Sequence, residues 1–373
     1  MSKKPMTYAD TGVDYGAMDP FKRMALQAGR ETAVHLQRFG DEFIEFEPSR
    51  GESAYLIERP DEFLAHVVEG LGTKDQAAEL MTAFTGVEYF DSIGQDTAAT
   101  ILNDLVTLGA IPLSLLMHLA VGDSKWFEDE RRQKALVAGW KKACDMARCT
   151  WGGGETPTLV GNVFTEPVVL SGTAMGFIRP KSRLIIGSKI RAGDQIILLT
   201  SSGIQTNGLT LGRKLARKLP QGLSTRLRDG RMYGEALLDP SKIYVRAVED
   251  CLDAGVDIHG AIHITGHGWR KLMRANQPFT YVIETLPPSL PVFEAIQQYG
   301  PVTAEEAYGN LNMGAAFALY VSESDTDQVL RLCPDAFHGG YIENGPKKVR
   351  IKPVKTEEFP DGLEFSGSTL AVR

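Results

Sequence analysis

Apolar runs of β-strand length recur along this chain, end on polar glycine turns and pass into helix-patterned segments. That alternation predicts an α/β (α+β) fold. Residues 195–200 (QIILLT) read as a strand, 201–208 (SSGIQTNG) as a polar turn and 209–219 as a helix. A second short strand runs into His263-Ile-Thr-Gly-His-Gly268, with a basic helix after it. In the first half, 113–121 (LSLLMHLAV) reads as a buried strand, 126–148 as an amphipathic helix and 168–178 (VVLSGTAMGFI) as another strand. Helix patterning also covers 20–38, 96–108 and 243–253, and Asp96 suits the N-cap of the second of these. Turn residues and basic charge gather over 179–193, which predicts two domains, 1–182 and 183–373. The tail from 346 is charged and proline-bearing and reads as a strand with a loose end.

A chain of 373 residues is long enough for two cores. Its net charge of -7 argues against nucleic acid as a partner but leaves room for a local basic pocket. Cys144, Cys149, Cys251 and Cys333 form no C-x-x-C pair, so a reduced cytoplasm is expected rather than a disulfide framework or a zinc site. The opening MSKKPMTYADTG lacks the apolar segment of a secretory signal. No membrane span is expected either, because the uncharged run from Leu105 to Val121 is broken by Gly109, Pro112 and His118.

Several clusters can carry chemistry. In Glu69-Gly-Leu-Gly-Thr-Lys74, Gly70 and Gly72 let backbone N–H groups approach an anion, Lys74 can neutralise phosphate oxygens, and Glu69 can hold a hard cation such as Mg²⁺. The segment is not a Walker loop, and an ordinary surface turn reads the same way. Glu69, Asp96, Asp104 and Glu155 together suit a Mg-nucleotide, while each alone suits a cap or a solvated charge. Asp96 and Asp104 lie a little over two helical turns apart and can share a face. Asn103 and Asp104 sit among Ile101, Leu102 and Leu105, where a carboxylate needs a partner or a metal. Gly152, Gly153 and Gly154, read as a loop, can present N–H groups to phosphate, with Glu155 facing the metal or a reacting amide. Ser201, Ser202, Gly203, Asn207 and Gly208 lie at a strand-to-helix junction, a place for phosphate or ribose and equally for a cap and turn. His263, Thr265, Gly266 and His267 form a third polar cluster.

Eight segments occur in one order: YADTGVDYGAMDPFKR, GLGTK, IGQDTAATILNDLVTLGAIPL, GGETPTLVG, SSGIQTNGLTLGRKL, LLDPSKIYVRAV, HITGHG and YGNLNMGAAFAL. Over about residues 7–350 this order resembles the aminoimidazole ribonucleotide synthetases, or phosphoribosylformylglycinamidine cyclo-ligases. The resemblance implies two α/β domains, the first supplying strands to a homodimeric barrel with ATP near the interface. It implies ATP-dependent ring closure of formylglycinamidine ribonucleotide through an iminophosphate, with ATP and Mg²⁺ as cofactors and no nucleic-acid or membrane partner. Carried over residue by residue, Gly70, Gly72, Thr73, Lys74, Asn103, Gly153 and Gly154 are expected at the nucleotide. Ser201, Ser202, Gly203, Asn207 and Gly208, carried over likewise, are expected at the substrate; the reading of the residues themselves adds Thr265 and Gly266 there, Glu69 and Asp96 beside Asp104 at the metal, and Lys74, Glu155 and His263 in catalysis. This chain has Glu69 and Met117 where the family usually has Asp, Gln205 where it has His, and His267 where it has Gly. After HITGHG, Trp269-Arg-Lys-Leu-Met-Arg274 replaces a Glu-Asn-Ile-Pro-Arg stretch. A paralogue that phosphorylates another substrate and a nucleotide-binding protein without turnover are the alternatives.

Overall fold

The computed structural model describes residues 12, 15–300 and 302–367. In the first half the strands are β1 (Ile44–Glu45), β2 (Tyr55–Glu58), β3 (Phe63–Gly70), β4 (Ile111–Ala120), β5 (Thr150–Glu155) and β6 (Val169–Ile178). They form a six-stranded sheet in the order β1-β2-β3-β6-β4-β5, antiparallel except for the β4–β5 pair. Its helices are α1 (Tyr15–Thr32), α2 (Lys74–Thr85), α3 (Phe90–Val106) and α4 (Glu130–Ala147).

The second half supplies β7 (Gln195–Thr200), β8 (Ile258–His263), β9 (Phe279–Ile283), β10 (Ala315–Val321), β11 (Ala336–Asn344), β12 (Lys348–Ile351) and β13 (Leu363–Ser366). They make a seven-stranded sheet, β13-β12-β9-β11-β7-β10-β8, in which β9 and β12 alone run parallel. Around it lie α5 (Leu209–Ala216), α6 (Tyr233–Leu237), α7 (Val245–Asp253), α8 (Pro291–Tyr299), α9 (Ala304–Asn310) and α10 (Thr326–Leu332). Two mixed sheets with flanking helices make the expected α/β (α+β) class.

Alternation decides which face of the first sheet is covered. On β3 and β6 the side chains of Phe63, Ala65, Val67, Leu170, Ala174 and Ile178 point to one face and are buried. Helices α3 and α4 cover that face and cross closely at Gly94 and Gly139, where a Cβ would strike the backbone of the other helix. Among the residues of α3 only Asp91 is exposed, because the sheet, α4 and the second half of the chain enclose it.

Four expectations are corrected by the fold. Asp96 is not an N-cap: α3 begins at Phe90, where the Glu88 carboxylate accepts from the N–H groups of Tyr89 and Phe90 at 2.9 and 3.0 Å. The glycines at 152–154 are not a loop but part of edge strand β5. Beside a register irregularity in the β4–β5 pairing, a Cβ on Gly154 would collide with the Met117 backbone, so glycine there permits close pairing with β4. The basic helix after 267 is a 3₁₀ stretch, Gly268–Met273, and the helix expected over 20–38 gives way to 3₁₀ turns after Thr32.

Candidate active site

A polar stripe on α3 builds one wall of the site. Gln95, Asp96, Thr100, Asn103 and Asp104 recur at helical spacing and all reach the second half of the chain. Thr100 donates to Thr206 Oγ1 at 2.8 Å, and Asp104 Oδ1 lies 2.6 Å from His263 Nδ1. Asn103 uses both ends of its amide, donating to the Lys242 carbonyl at 2.9 Å and accepting from the Tyr244 N–H at 2.8 Å.

Beside this stripe opens a cavity of about 460 Å³. The end of β3 and the turn after it contribute Glu69, Gly70, Gly72 and Thr73, and α3 contributes Thr100 and Asp104. The turn into α5 adds Asn207, Gly208 and Thr210, the segment after β8 adds Thr265, Gly266, His267 and Lys271, and Lys22 reaches in from α1. Gly72 has φ +76° and Gly208 φ +93°, left-handed conformations that put turns at the starts of α2 and α5. The volume suits a small phosphorylated ligand, and helix N-termini offer unpaired backbone N–H groups to anions.

Charge in the cavity is finely set. Glu69 stands open to the cavity, yet desolvation of its carboxyl by the protein around it and then the nearby Asp104 carboxylate push it up from the ordinary 4.5 to about 7, although Lys271 and Arg274 pull it down. Burial alone would raise Asp104, but the hydrogen bond and charge of His263, helped by Lys271 and Arg274, hold it below the usual aspartate value. Burial drives Lys271 below the usual lysine value against the pull of Asp104. His267, at φ +74° in a conformation that favours glycine, is pushed down to about 4 by burial and by Lys271, so its imidazole is neutral at pH 7.

The expected residues divide. Glu69, Gly70, Gly72, Thr73, Asp104, Asn207, Gly208, Thr265 and Gly266 line the cavity together. Lys74 does not: it is wholly buried, 2.7 Å from Asp96 Oδ2, and donates to the Asp239 carbonyl at 2.8 Å. Asp96 also accepts from the Ser241 N–H at 2.7 Å, so its carboxylate is held by protein groups rather than turned to the cavity. Asn103 lies behind the wall, held by the 242–244 backbone. Ser201 donates to Asn312 Oδ1 and Ser202 to the Pro240 carbonyl, and with Gly203 they tie the turn to neighbouring chain. His263 stands behind Asp104. Gly153, Gly154 and Glu155 are exposed on the far edge of the sheet. Register pairs Glu155 with His118, His118 with Ser171 and Ser171 with Gly70, three strand steps or about 14 Å. Sequence reasoning missed Lys22, Thr100, Thr206, Thr210 and Lys271; the helical spacing of Thr100 with Asp96 and Asp104 was the available signal for one of them.

Residues 51–178 match the family described as AIR synthase related protein, N-terminal domain, and residues 191–351 match the C-terminal domain of the same description. The phosphoribosylformylglycinamidine cyclo-ligase of Methanocaldococcus jannaschii is 36% identical over 339 residues, covering 88% of this chain and 88% of the relative. The chain belongs to this AIR synthase family. The cyclo-ligase of Pyrococcus furiosus is 34% identical over 348 residues, 91% of this chain and 96% of that relative. Among solved structures, the hydrogenase maturation protein HypE in complex with ATP superposes with a TM-score of 0.58 at 17% identity, over 83% of this chain and 86% of that one. AaThiL complexed with AMPPCP and TMP gives 0.57 at 18%, over 84% and 91%. At such identities these two share the AIR synthase fold and support nothing finer.

Proposed function

We propose that this chain is an ATP-dependent phosphoribosylformylglycinamidine cyclo-ligase that closes the ring of formylglycinamidine ribonucleotide to give aminoimidazole ribonucleotide, ADP and phosphate. The observation that carries the reading is the 36% identity to a cyclo-ligase across 88% of the chain. In this reaction the γ-phosphoryl group passes to the formyl oxygen, the amidine nitrogen attacks the same carbon, and phosphate leaves with that oxygen. Such chemistry asks for positioning and charge neutralisation. The cavity supports this reading: the turns at Gly70–Thr73 and Asn207–Gly208 can approach a phosphate chain, and Thr100, Thr206, Thr210 and Thr265 would surround it with hydroxyls.

Glu69 and Asp104 suit Mg²⁺. Two carboxylates face one cavity, and the charge of Asp104 helps to lift Glu69 to about 7, a repulsion that a cation relieves. Mg²⁺ takes one or two carboxylates together with phosphate and water oxygens, and Glu69 and Asp104 are such a pair on the cavity wall. When bound, Mg²⁺ supplies charge neutralisation to the phosphoryl oxygens.

The proposal extends to a homodimer, with domains dividing near residue 183. The outer face of the first sheet, with Val68, Leu116, Val169 and Met175, is uncovered. Glu155 and its glycines lie three strands from Gly70 on their own copy, which suits a role at the nucleotide of a second copy. No helix among the described residues is long and apolar enough to cross a membrane, and with four free thiols this supports a place in the cytoplasm. The test is turnover: ADP release with Mg-ATP should require formylglycinamidine ribonucleotide, whereas ADP release that ignores this acceptor and responds to another would select the paralogue.

A further inference from the structure

Two lysines of this chain are buried near the cavity, and they differ in how they are satisfied. Lys74 has Asp96 and the Asp239 carbonyl. Lys271, only 9% exposed, donates to Thr265 Oγ1, and among the described residues its ammonium forms no ion pair and no second hydrogen bond. Among the described residues two of its three N–H bonds therefore have no partner on the wall of a cavity of about 460 Å³.

The local chain leaves this side chain little choice. Trp269, Leu272 and Met273 are buried in the second hydrophobic core, and Trp269 Nε1 donates to the Asn312 carbonyl at 2.8 Å. With its neighbours anchored, Lys271 is directed at the cavity. A buried ammonium without a contacting counter-charge is costly, and this cost persists in folded proteins where a ligand anion completes the site. Glu69 and Asp104 attract it only from beyond ion-pair distance.

We propose that Lys271 is the cationic anchor for a phosphoryl group in this site, giving its two unpartnered N–H bonds to phosphoryl oxygens. The inference rests on the reading of the cavity as the place where nucleotide and ribonucleotide meet. Both ligands carry phosphate, and binding measurements separate the sources.

The full-length chain carrying Lys271→Met, and in parallel Lys271→Gln, is compared with the parent by calorimetric titration with AMPPCP, ADP and formylglycinamidine ribonucleotide. If Lys271 holds the terminal phosphate, AMPPCP affinity falls by about 10- to 100-fold, the worth of a charge-assisted hydrogen bond in a desolvated site, while ADP affinity holds. If it holds the ribonucleotide phosphate, the same loss moves to that ligand and both nucleotides bind as before. Lys271→Met should also melt at or above the parent temperature, because an uncompensated buried charge is gone. Unchanged affinity for all three ligands overturns the proposal, and so does failure of both variants to fold, which would make Lys271 a structural cation. These titrations do not use turnover, so a parent without ring closure would sink the proposed function while the comparison still decides Lys271.

Discussion

Glu69 and Lys74 belong to one hexapeptide and meet opposite fates. Glu69 faces the cavity, whereas Lys74 turns inward to Asp96. Desolvation of its carboxyl and the Asp104 charge lift Glu69 from 4.5 to about 7 although the residue is open to the cavity, so the folded chain holds that proton more tightly than the unfolded one. The stability this proton contributes is complete below the ordinary glutamate value and is lost as pH rises through about 7. The ligand-free protein should therefore melt at progressively lower temperature across that window. Glu69→Gln, uncharged throughout, should flatten this part of the curve and melt above the parent at about pH 8. Parallel curves for variant and parent would assign the proton to another group.

At the scale of elements, α3 joins the two halves through one polar stripe. Asp96 is its most buried ionic contact, shared with Lys74 and Ser241. Asp96→Asn leaves the Lys74 ammonium buried without its counter-charge, and urea unfolding should show a loss of about 3–5 kcal/mol, typical of a broken buried pair. A loss below about 1 kcal/mol, the worth of a surface pair, would contradict this placement. Much of the element pattern was legible: strands over 113–121, 168–178 and 195–200 and helices over 126–148, 209–219 and 243–253 correspond to β4, β6, β7, α4, α5 and α7. Local patterning reports such elements because most have one buried face, and β7, buried on both, reads as a short continuous apolar run. The start of α3 was not legible, since Glu88 caps it and a helix enclosed on all sides has little amphipathic signal. The role of β5 was hidden as well, because three glycines suggest a turn until the neighbouring strand shows that a Cβ at Gly154 is excluded by the Met117 backbone. Of the site, the motif turns were readable, but which carboxylates face the cavity depends on contacts across the two halves. Asp96 and Asp104 share a helix face, yet only Asp104 lines the cavity.

For the whole molecule, the first sheet carries helices on one face and leaves the other uncovered, with Val68 72% and Met175 45% exposed. In the proposed homodimer these apolar side chains on adjacent strands form the association surface. Sedimentation should show a dimer for the parent and a folded monomer for a Val68→Lys, Met175→Lys double variant; a parent that stays monomeric at high concentration would remove the dimer from the account. The central claim, that the cavity transfers a phosphoryl group to the formyl oxygen and closes the ring, has an isotopic test. Formylglycinamidine ribonucleotide labelled with ¹⁸O in the formyl group is turned over with Mg-ATP, and the released phosphate is weighed by mass spectrometry. One ¹⁸O is expected in each phosphate formed together with aminoimidazole ribonucleotide; unlabelled phosphate, with the label lost to water, would rule out transfer to the formyl oxygen.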